Sequence, residues 1–194
     1  KYEAVFNIDS ETVFMKPFDI NNWEKDGKYI MYRAENKDCP SHDEFCRVAQ
    51  KLLKLPLSIQ EISEHNYMNI PTCFVRENTN LLLQRIKKNS IWNSWKTALC
   101  NTYRFSEYYT YGIFSYYELH AKNHYITDKQ LFPIIDIAEY PDTESFIHSV
   151  EKVLSSPFAI GIVCQKKNRK ALSGKYLSFE KRNKAIHQFW KKYE

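Results

Sequence analysis

The sequence predicts an α/β protein, and two observations carry this prediction. Short apolar runs typical of β-strands alternate with segments whose apolar residues recur at helical spacing. The 194-residue chain is 43% hydrophobic and 15% aromatic, which is enough to bury a sizeable core. Because no internal repeat or low-complexity tract divides the chain, we expect residues 1–194 to form a single domain.

Five segments carry the strand signal. They lie at residues 2–8, 28–33, 71–76, 131–138 and 158–164. The first is a continuous apolar run, which is the pattern of a strand buried inside a parallel sheet. Ligands of such sheets bind just beyond the carboxyl ends of the strands. The residues that follow Ile8 are therefore candidates for a functional site.

Helical segments fill most of the intervals between these strands. The clearest one begins near Ser41, because Ser41 and Glu44 have the spacing of a capping box, and it ends before Pro56. Further helices are predicted over residues 79–88, 91–100 and 143–154, the last with Asp142 or Thr143 at its N-cap.

The formal net charge is +5, and the basic excess lies at the C-terminal end. Residues 165–194 contain ten basic and two acidic side chains, with aromatic residues between them. From the residues alone, the favoured interpretation of this segment is a solvated basic helix face whose apolar side docks on the domain, and the alternative is a basic aromatic helix that contacts anionic lipid or nucleic acid. No apolar stretch approaches the roughly 20 residues that span a bilayer, so membrane contact would be peripheral.

The cysteine and glycine patterns argue against a zinc site and a glycine-rich phosphate loop. The five cysteines lack a zinc-binding spacing, and the four glycines form no phosphate-binding motif. Cys46, Cys73, Cys100 and Cys164 lie in apolar surroundings, where we expect them to pack in the core of a protein from a reducing compartment. A phosphate site in this chain would therefore have to use a metal ion and side chains.

Two carboxylates follow the first predicted strand. Asp9 and Glu11 are separated by one residue, and a short apolar run at residues 12–15 comes directly after them. Two hard oxygen donors at one strand end suit Mg²⁺ or Mn²⁺ that holds a substrate phosphate. The alternative is that these residues only cap the turn that follows the strand.

A second candidate cluster combines His65 with a tyrosine-rich segment. Ser106 has the position of a helix N-cap, which places Glu107 in the first turn, where the helix dipole favours a carboxylate and a catalytic base can be positioned. His65 lies among polar residues and can ligate a metal or hydrogen-bond a sugar. The alternatives are that Glu107 only stabilises its helix end and that Tyr108 and Tyr111 are packing groups. A lone histidine such as His65 is usually a satisfied surface or core residue.

Three segments, taken in order, resemble a family of poorly characterised bacterial glycosyltransferase-like proteins. They are IDSETVFMKP at residues 8–17, SEH at residues 63–65 and FSEYYTYG at residues 105–112. The corresponding family patterns are LDSDTVFLRP, SHH and FSEYELYG. The resemblance covers about residues 2–112, and the C-terminal part of the chain lies outside it.

The resemblance implies a fold and a metal site. The fold is a single Rossmann-like domain of the A-type glycosyltransferase class (GT-A), of which we expect this chain to lack the N-terminal part. The activity would depend on Mn²⁺ or Mg²⁺, with Asp9 near the donor ribose or the metal-bound waters and Glu11 on the metal itself. Glu11 replaces the usual Asp of this motif, and its longer side chain can still coordinate.

The resemblance also implies a reaction, the transfer of a sugar from a nucleotide-diphosphate donor to a glycan or lipid-linked acceptor, as in cell-surface polysaccharide synthesis. Glu107 would be the catalytic base. The substrate pocket would be lined by His65, Tyr108, Tyr111 and Gly112. We expect a cytoplasmic protein held peripherally at the inner membrane face by residues 165–194, and nucleic acid is not an expected partner.

Two alternative functions remain open from the sequence. A nucleic-acid-binding or nucleic-acid-processing protein would use the basic segment for phosphates and the carboxylates for Mg²⁺. A catalytically inactive scaffold would keep the fold and bind a partner, which the substitution of Glu for Asp at position 11 makes worth testing.

Overall fold

The computed structural model describes residues 2–35, 42–68, 71–136 and 142–165, together with positions 184, 187–188 and 191. The chain divides into two compact units. The first unit contains residues 1–7 and 19–129, and the second contains residues 8–18 and 130–194. Each unit is described by itself below.

Four short strand pairings form the sheets of the first unit. Strand β1 (Ala4–Asn7) runs antiparallel to β7 (Thr72–Val75), and β5 (Ala34–Glu35) runs antiparallel to β6 (His65–Asn66). Strands β3 (Glu24–Lys25) and β4 (Lys28–Tyr32) form a hairpin, and β4 also pairs in parallel with β8 (His124–Thr127). Asp26 and Gly27 close the hairpin with φ of 53° and 70°, as a tight two-residue turn requires.

Helices supply the core of the first unit. They are α1 (His42–Leu53), α2 (Ile59–Ser63), α3 (Arg76–Asn89), α4 (Trp95–Cys100) and α5 (Glu107–Ile113), which continues into a π-helix at Phe114–Glu118, and a 3₁₀-helix lies at Ile20–Trp23. Leu53, Ile62, Ile86, Tyr109 and Ile113 are fully buried in one cluster between these helices. This apolar contact stabilises short helices that would be marginal in isolation.

The second unit is a three-stranded sheet with one helix. Its strands are β2 (Thr12–Phe14), β10 (Gly161–Gln165) and β9 (Ile134–Asp136), with β10 in the centre, antiparallel to β2 and parallel to β9. Helix α6 (Thr143–Leu154) buries Phe146 and Val150 in the core of this unit. A Cβ on Gly161 would lie 2.3 Å from the carbonyl oxygen of Val13, so only glycine allows β2 to approach β10 here.

The mixed α/β class predicted from the sequence is confirmed, and each of the five strand signals contains a strand. The prediction that β1 lies in a parallel sheet is wrong, because β1 pairs antiparallel with β7 and Val5 is 56% exposed. The helix expected over residues 91–100 begins only at Trp95, because Ser94 caps it. The prediction that Cys100 packs in the core is also wrong, since this side chain is exposed.

Some sequence predictions fall on residues outside the described part of the chain. They are the N-cap at Ser41 and almost all of the basic segment at residues 165–194. Within the described ranges, no helix combines the length and the apolar character needed to cross a bilayer.

Candidate functional site

The predicted site residues are divided between the two units. The carboxylate pair belongs to the second unit and the other five residues belong to the first. Those in the second unit are Asp9 and Glu11, and those in the first are His65, Glu107, Tyr108, Tyr111 and Gly112.

A β-turn holds the two carboxylates immediately before β2. The N–H of Thr12 donates to the carbonyl of Asp9 at 3.0 Å, and the carbonyl of Glu11 accepts from the N–H of Cys164 at 3.0 Å. The side chain of Asp9 is half-buried and that of Glu11 is exposed. Neither carboxylate makes a hydrogen bond or an ion pair with any residue the structure describes. The backbone is therefore fixed while both acidic groups stay available.

This donor set fits only one kind of metal site. Across the described ranges, no group of three or more His, Cys, Asp or Glu side chains comes together to hold a metal ion. Mg²⁺ is usually bound by one or two carboxylates together with substrate phosphates and waters, and Mn²⁺ accepts similar oxygen ligands. Asp9 and Glu11 can supply the protein share of such a site when a substrate brings the remaining oxygens.

Ser106 caps helix α5 as the sequence predicts. Its hydroxyl accepts from the N–H of Tyr109 at 3.5 Å, and Glu107 then lies in the first helical turn. The Glu107 side chain is exposed, and it makes no hydrogen bond or ion pair within the described residues. In the first turn the carboxylate is favourably placed for the helix dipole, and among the described residues no partner prevents it from also acting as a base.

Tyr111 belongs to a buried hydrogen-bond chain and is 1% exposed. Its hydroxyl accepts from the N–H of Val75 at 2.9 Å and donates to Nε2 of His124 at 2.8 Å. Nδ1 of His124 in turn donates to the carbonyl of Tyr29 at 3.1 Å. Burial lowers the pKa of His124 to about 4, which keeps the ring neutral in this chain. The position of Tyr111 favours the packing alternative over contact with a substrate.

Tyr108 lies on a more exposed side of the same helix. Its hydroxyl accepts from Nδ2 of Asn7 at 2.7 Å, and its ring centroid lies 6.3 Å from that of Phe74. Asn7 is the last residue of β1, so this hydrogen bond joins α5 to the end of the first strand. Tyr108 remains partly exposed and stays a predicted substrate contact.

Gly112 allows α5 to pack directly against Tyr67. A Cβ at position 112 would lie 2.5 to 2.7 Å from three atoms of the Tyr67 side chain, closer than real Cβ atoms come. Gly112 is itself buried, so its position favours a packing role beside Tyr67, and its predicted substrate contact stays a prediction.

His65 meets Arg33 at the end of β4. Nη2 of Arg33 donates to Nδ1 of His65 at 2.9 Å, and Cζ of Arg33 lies 3.9 Å from the ring centroid of Tyr116. Burial lowers the pKa of His65, and the positive charge of Arg33 lowers it further, so the ring is neutral at pH 7. No sequence motif marks Arg33 or Tyr116. The nearest signals are the strand pattern that ends at Arg33 and the tyrosine-rich segment that precedes Tyr116.

Residues 2–152 match the sequence model of a family of unknown function, DUF6492. The chain belongs to DUF6492. No curated protein and no solved structure is detectably similar to it. All seven predicted site residues lie inside the matched range, and so does Arg33, whereas strand β10 begins beyond its end.

Two cavities in the first unit of this DUF6492 protein lie away from the predicted residues. One of about 450 Å³ is lined by α1, α3 and the segment after α4, with Trp92 and Tyr103 at its rim. The other, of about 340 Å³, lies beside Arg76 and Asn123. None of the predicted site residues lines either cavity.

Proposed function

We propose that this DUF6492 protein is a metal-dependent glycosyltransferase that moves a sugar from a nucleotide-diphosphate donor to a glycan or lipid-linked acceptor. The observation that carries the proposal is the turn before β2, which holds Asp9 and Glu11 two residues apart without a partner in the described residues. The resemblance of residues 8–17 and 105–112 to glycosyltransferase-like proteins supports it. The proposed scaffold is the GT-A form of the α/β class.

The reaction explains why an acidic pair would be kept free at this turn. A bound Mn²⁺ or Mg²⁺ would neutralise the negative charge that develops on the departing diphosphate. Glu11 is exposed and can reach the ion directly, whereas the half-buried Asp9 has less freedom and suits a ribose hydroxyl or a metal-bound water. A lysine or arginine paired with either residue would compete with the ion, and no such pair exists among the described residues.

Glu107 is the proposed base for an inverting transfer. The carboxylate is exposed and has no partner in the described part, so it can take the proton from an acceptor hydroxyl. His65 and Tyr108 are the proposed polar contacts to substrate hydroxyls. The basic segment at residues 165–194 is proposed to hold the protein at the cytoplasmic face of the membrane, where a lipid-linked acceptor would be found.

The donor site is tested by thermal unfolding with Mn²⁺ and a panel of nucleoside diphosphates. A binding diphosphate, present at a free concentration of about 100 times its Kd, should raise the free energy of unfolding of the wild type by about 2.7 kcal/mol. Asp9→Asn and Glu11→Gln should lose this metal-dependent stabilisation. Glu144→Gln is the matched control, because Glu144 is an exposed carboxylate of the same unit. Full stabilisation in Asp9→Asn and Glu11→Gln, or none in the wild type with any diphosphate, would refute the metal site.

Glu107→Gln separates binding from transfer. This variant should keep the stabilisation by Mn²⁺ and diphosphate, because its side chain is exposed and structurally unengaged. It should lose transfer by about 10²- to 10⁴-fold, measured as diphosphate release from the matching nucleotide sugar across a panel of glycan acceptors. Turnover equal to that of the wild type would remove Glu107 from the mechanism and leave the donor site intact.

A further inference from the structure

We propose that Arg33, His65, Tyr67 and Tyr116 of the first unit form a binding site for an oxyanion, the phosphate or carboxylate group of a small-molecule ligand. The proposal does not depend on the acidic turn or on the glycosyltransferase assignment. Within the part of the chain that the structure describes, it rests on a cation without a counter-ion and on two buried polar atoms without a hydrogen bond.

Arg33 is a partly buried cation whose direct side-chain contacts in the described residues are with neutral groups. Its Nη2 donates to His65 Nδ1 at 2.9 Å, and its Cζ lies 3.9 Å from the Tyr116 ring centroid. No carboxylate among the described residues forms an ion pair with it. A guanidinium that has lost part of its hydration is normally paired with an anion in the folded protein. Glu35 and Glu64 act on the neighbouring His65, but neither carboxylate pairs with this guanidinium in the described residues.

Two further polar atoms at this position are left without a hydrogen bond. Nε of Arg33 and the hydroxyl of Tyr67 are buried, and neither has a hydrogen-bond partner in the described residues. Tyr67 is 3% exposed, so its hydroxyl cannot turn to solvent. Burial raises the pKa of Tyr67, which keeps the phenol protonated, and the nearby guanidinium of Arg33 opposes that effect although the two groups do not meet in a well-formed hydrogen bond. Buried polar atoms without a well-formed hydrogen bond are rare in folded proteins, and a bound anion would accept from both of these groups.

The free hydrogen-bonding positions of the cluster are donors. Arg33 has no acceptor, and the Tyr67 hydroxyl can donate. Because His65 uses Nδ1 to accept from Arg33, its proton lies on Nε2, which is a third donor. Positive charge together with several donors selects an acceptor-only anion, and guanidinium geometry favours a phosphate or a carboxylate.

The cluster is reachable and is held in place by the surrounding elements. Arg33, His65 and Tyr116 are each partly exposed, whereas Tyr67 closes the inner side. The N–H of Arg33 donates to the carbonyl of Thr127 at 2.9 Å, which fixes its backbone beside β8. Tyr116 lies on the π-helix, a distortion often found at functional sites. The contact of Gly112 with Tyr67 gives this glycine a role in shaping the cluster.

Calorimetric titration of the whole chain tests the proposal with inorganic phosphate, pyrophosphate, acetate and glucuronate. Ionic strength is held constant, and EDTA removes divalent metals so that the acidic turn cannot contribute. We expect saturable binding of one anion class to the wild type, and at least about tenfold weaker binding to Arg33→Gln. Preference for pyrophosphate would identify a phosphorylated ligand, and preference for glucuronate would identify an acidic sugar. Arg104→Gln, an exposed arginine of the same unit, should bind like the wild type.

Tyr67→Phe keeps the test decisive if Arg33→Gln does not fold. Removing an unpaired buried hydroxyl should leave the ligand-free protein at least as stable, because no hydrogen bond is lost. Anion binding should nevertheless weaken several-fold. A purely structural cluster predicts no anion binding by the wild type, or equal binding by the wild type and Tyr67→Phe, and either result would overturn the proposal.

Discussion

Lowering the pH below 6.5 should destabilise the first unit through His124. In the neutral ring, Nδ1–H donates to Tyr29 and Nε2 accepts from Tyr111, so both nitrogens are satisfied. Protonation of Nε2 would turn that acceptor into a donor. The Tyr111 hydroxyl, which already accepts from Val75, would then have to give up its hydrogen bond to this ring and turn its own proton elsewhere in the core.

The magnitude follows from the two pKa values of His124. Burial lowers the pKa of this residue from 6.5 to about 4. Below pH 6.5 the unfolded chain takes up a proton that the folded chain refuses, so the free energy of unfolding falls as the pH falls. The full effect, reached below about pH 4, is about 3 kcal/mol. At about pH 5 roughly 2 kcal/mol of it should already be lost. The stabilisation is complete only about one pH unit above 6.5, which is why the measurement starts at about pH 7.5.

Urea unfolding of the wild type and of His124→Gln from about pH 7.5 to about pH 5 measures this effect. Glutamine offers one donor and one acceptor and does not titrate. The other histidines, including His65 with its own lowered pKa, are common to both proteins and cancel in the comparison. The stability advantage of the wild type should therefore shrink by about 2 kcal/mol over this range. An advantage that stays constant to within about 0.5 kcal/mol would refute the reasoning.

Two further predictions concern the packing and the cap of α5. Gly112→Ala should lower the free energy of unfolding by about 1–3 kcal/mol, since the new methyl group would meet the Tyr67 side chain at 2.5 to 2.7 Å. Gly27→Ala should lower it less, because nothing lies within 4 Å of the new Cβ and only the φ of 70° opposes it. The reverse order in urea unfolding would contradict the packing argument. Ser106→Ala should cost about 1 kcal/mol through loss of the N-cap, whereas Ser106→Thr should keep most of it. Equal stability of the two Ser106 variants would mean that the cap contributes little.

Local features of this fold could be predicted because their signals are short in sequence. The N-cap side chains of Ser106 and Asp142 accept from backbone N–H groups three residues later. A polar residue directly before a segment with helical spacing of apolar residues is therefore sufficient to predict these helix starts. The start of α4 differs from the prediction because the chain turns at Asn93, which has a positive φ of 48°. Ser94 then supplies the N-cap, so the helix begins after it.

Pairing between distant strands could not be predicted in the same way. The apolar run that contains β1 fits either a buried parallel strand or an antiparallel strand with one face partly covered. The choice depends on β7, whose Val75 pairs with Ala4, and no residue of β1 encodes that partner. One face of β1 stays open at Val5, so the apolar run overstated its burial.

The candidate site residues were likewise predictable only where the signal is local in sequence. Glu107 and the acidic pair could be found because each stands in a short motif. Arg33 could not, since its neighbours His65, Tyr67 and Tyr116 come from separate elements and meet only after β4, β6 and the π-helix have packed. An arginine at the end of a strand pattern carries no sign that its charge will lie over a tyrosine ring.

The central position of β10 has a consequence for any shortened form of this protein. The DUF6492 match stops at residue 152, but the strand that joins β2 to β9 begins at Gly161. A fragment trimmed to the family boundary would separate the two outer strands and remove the Cys164 amide that anchors Glu11. The acidic turn therefore depends on residues that lie outside the boundary by which the family is recognised.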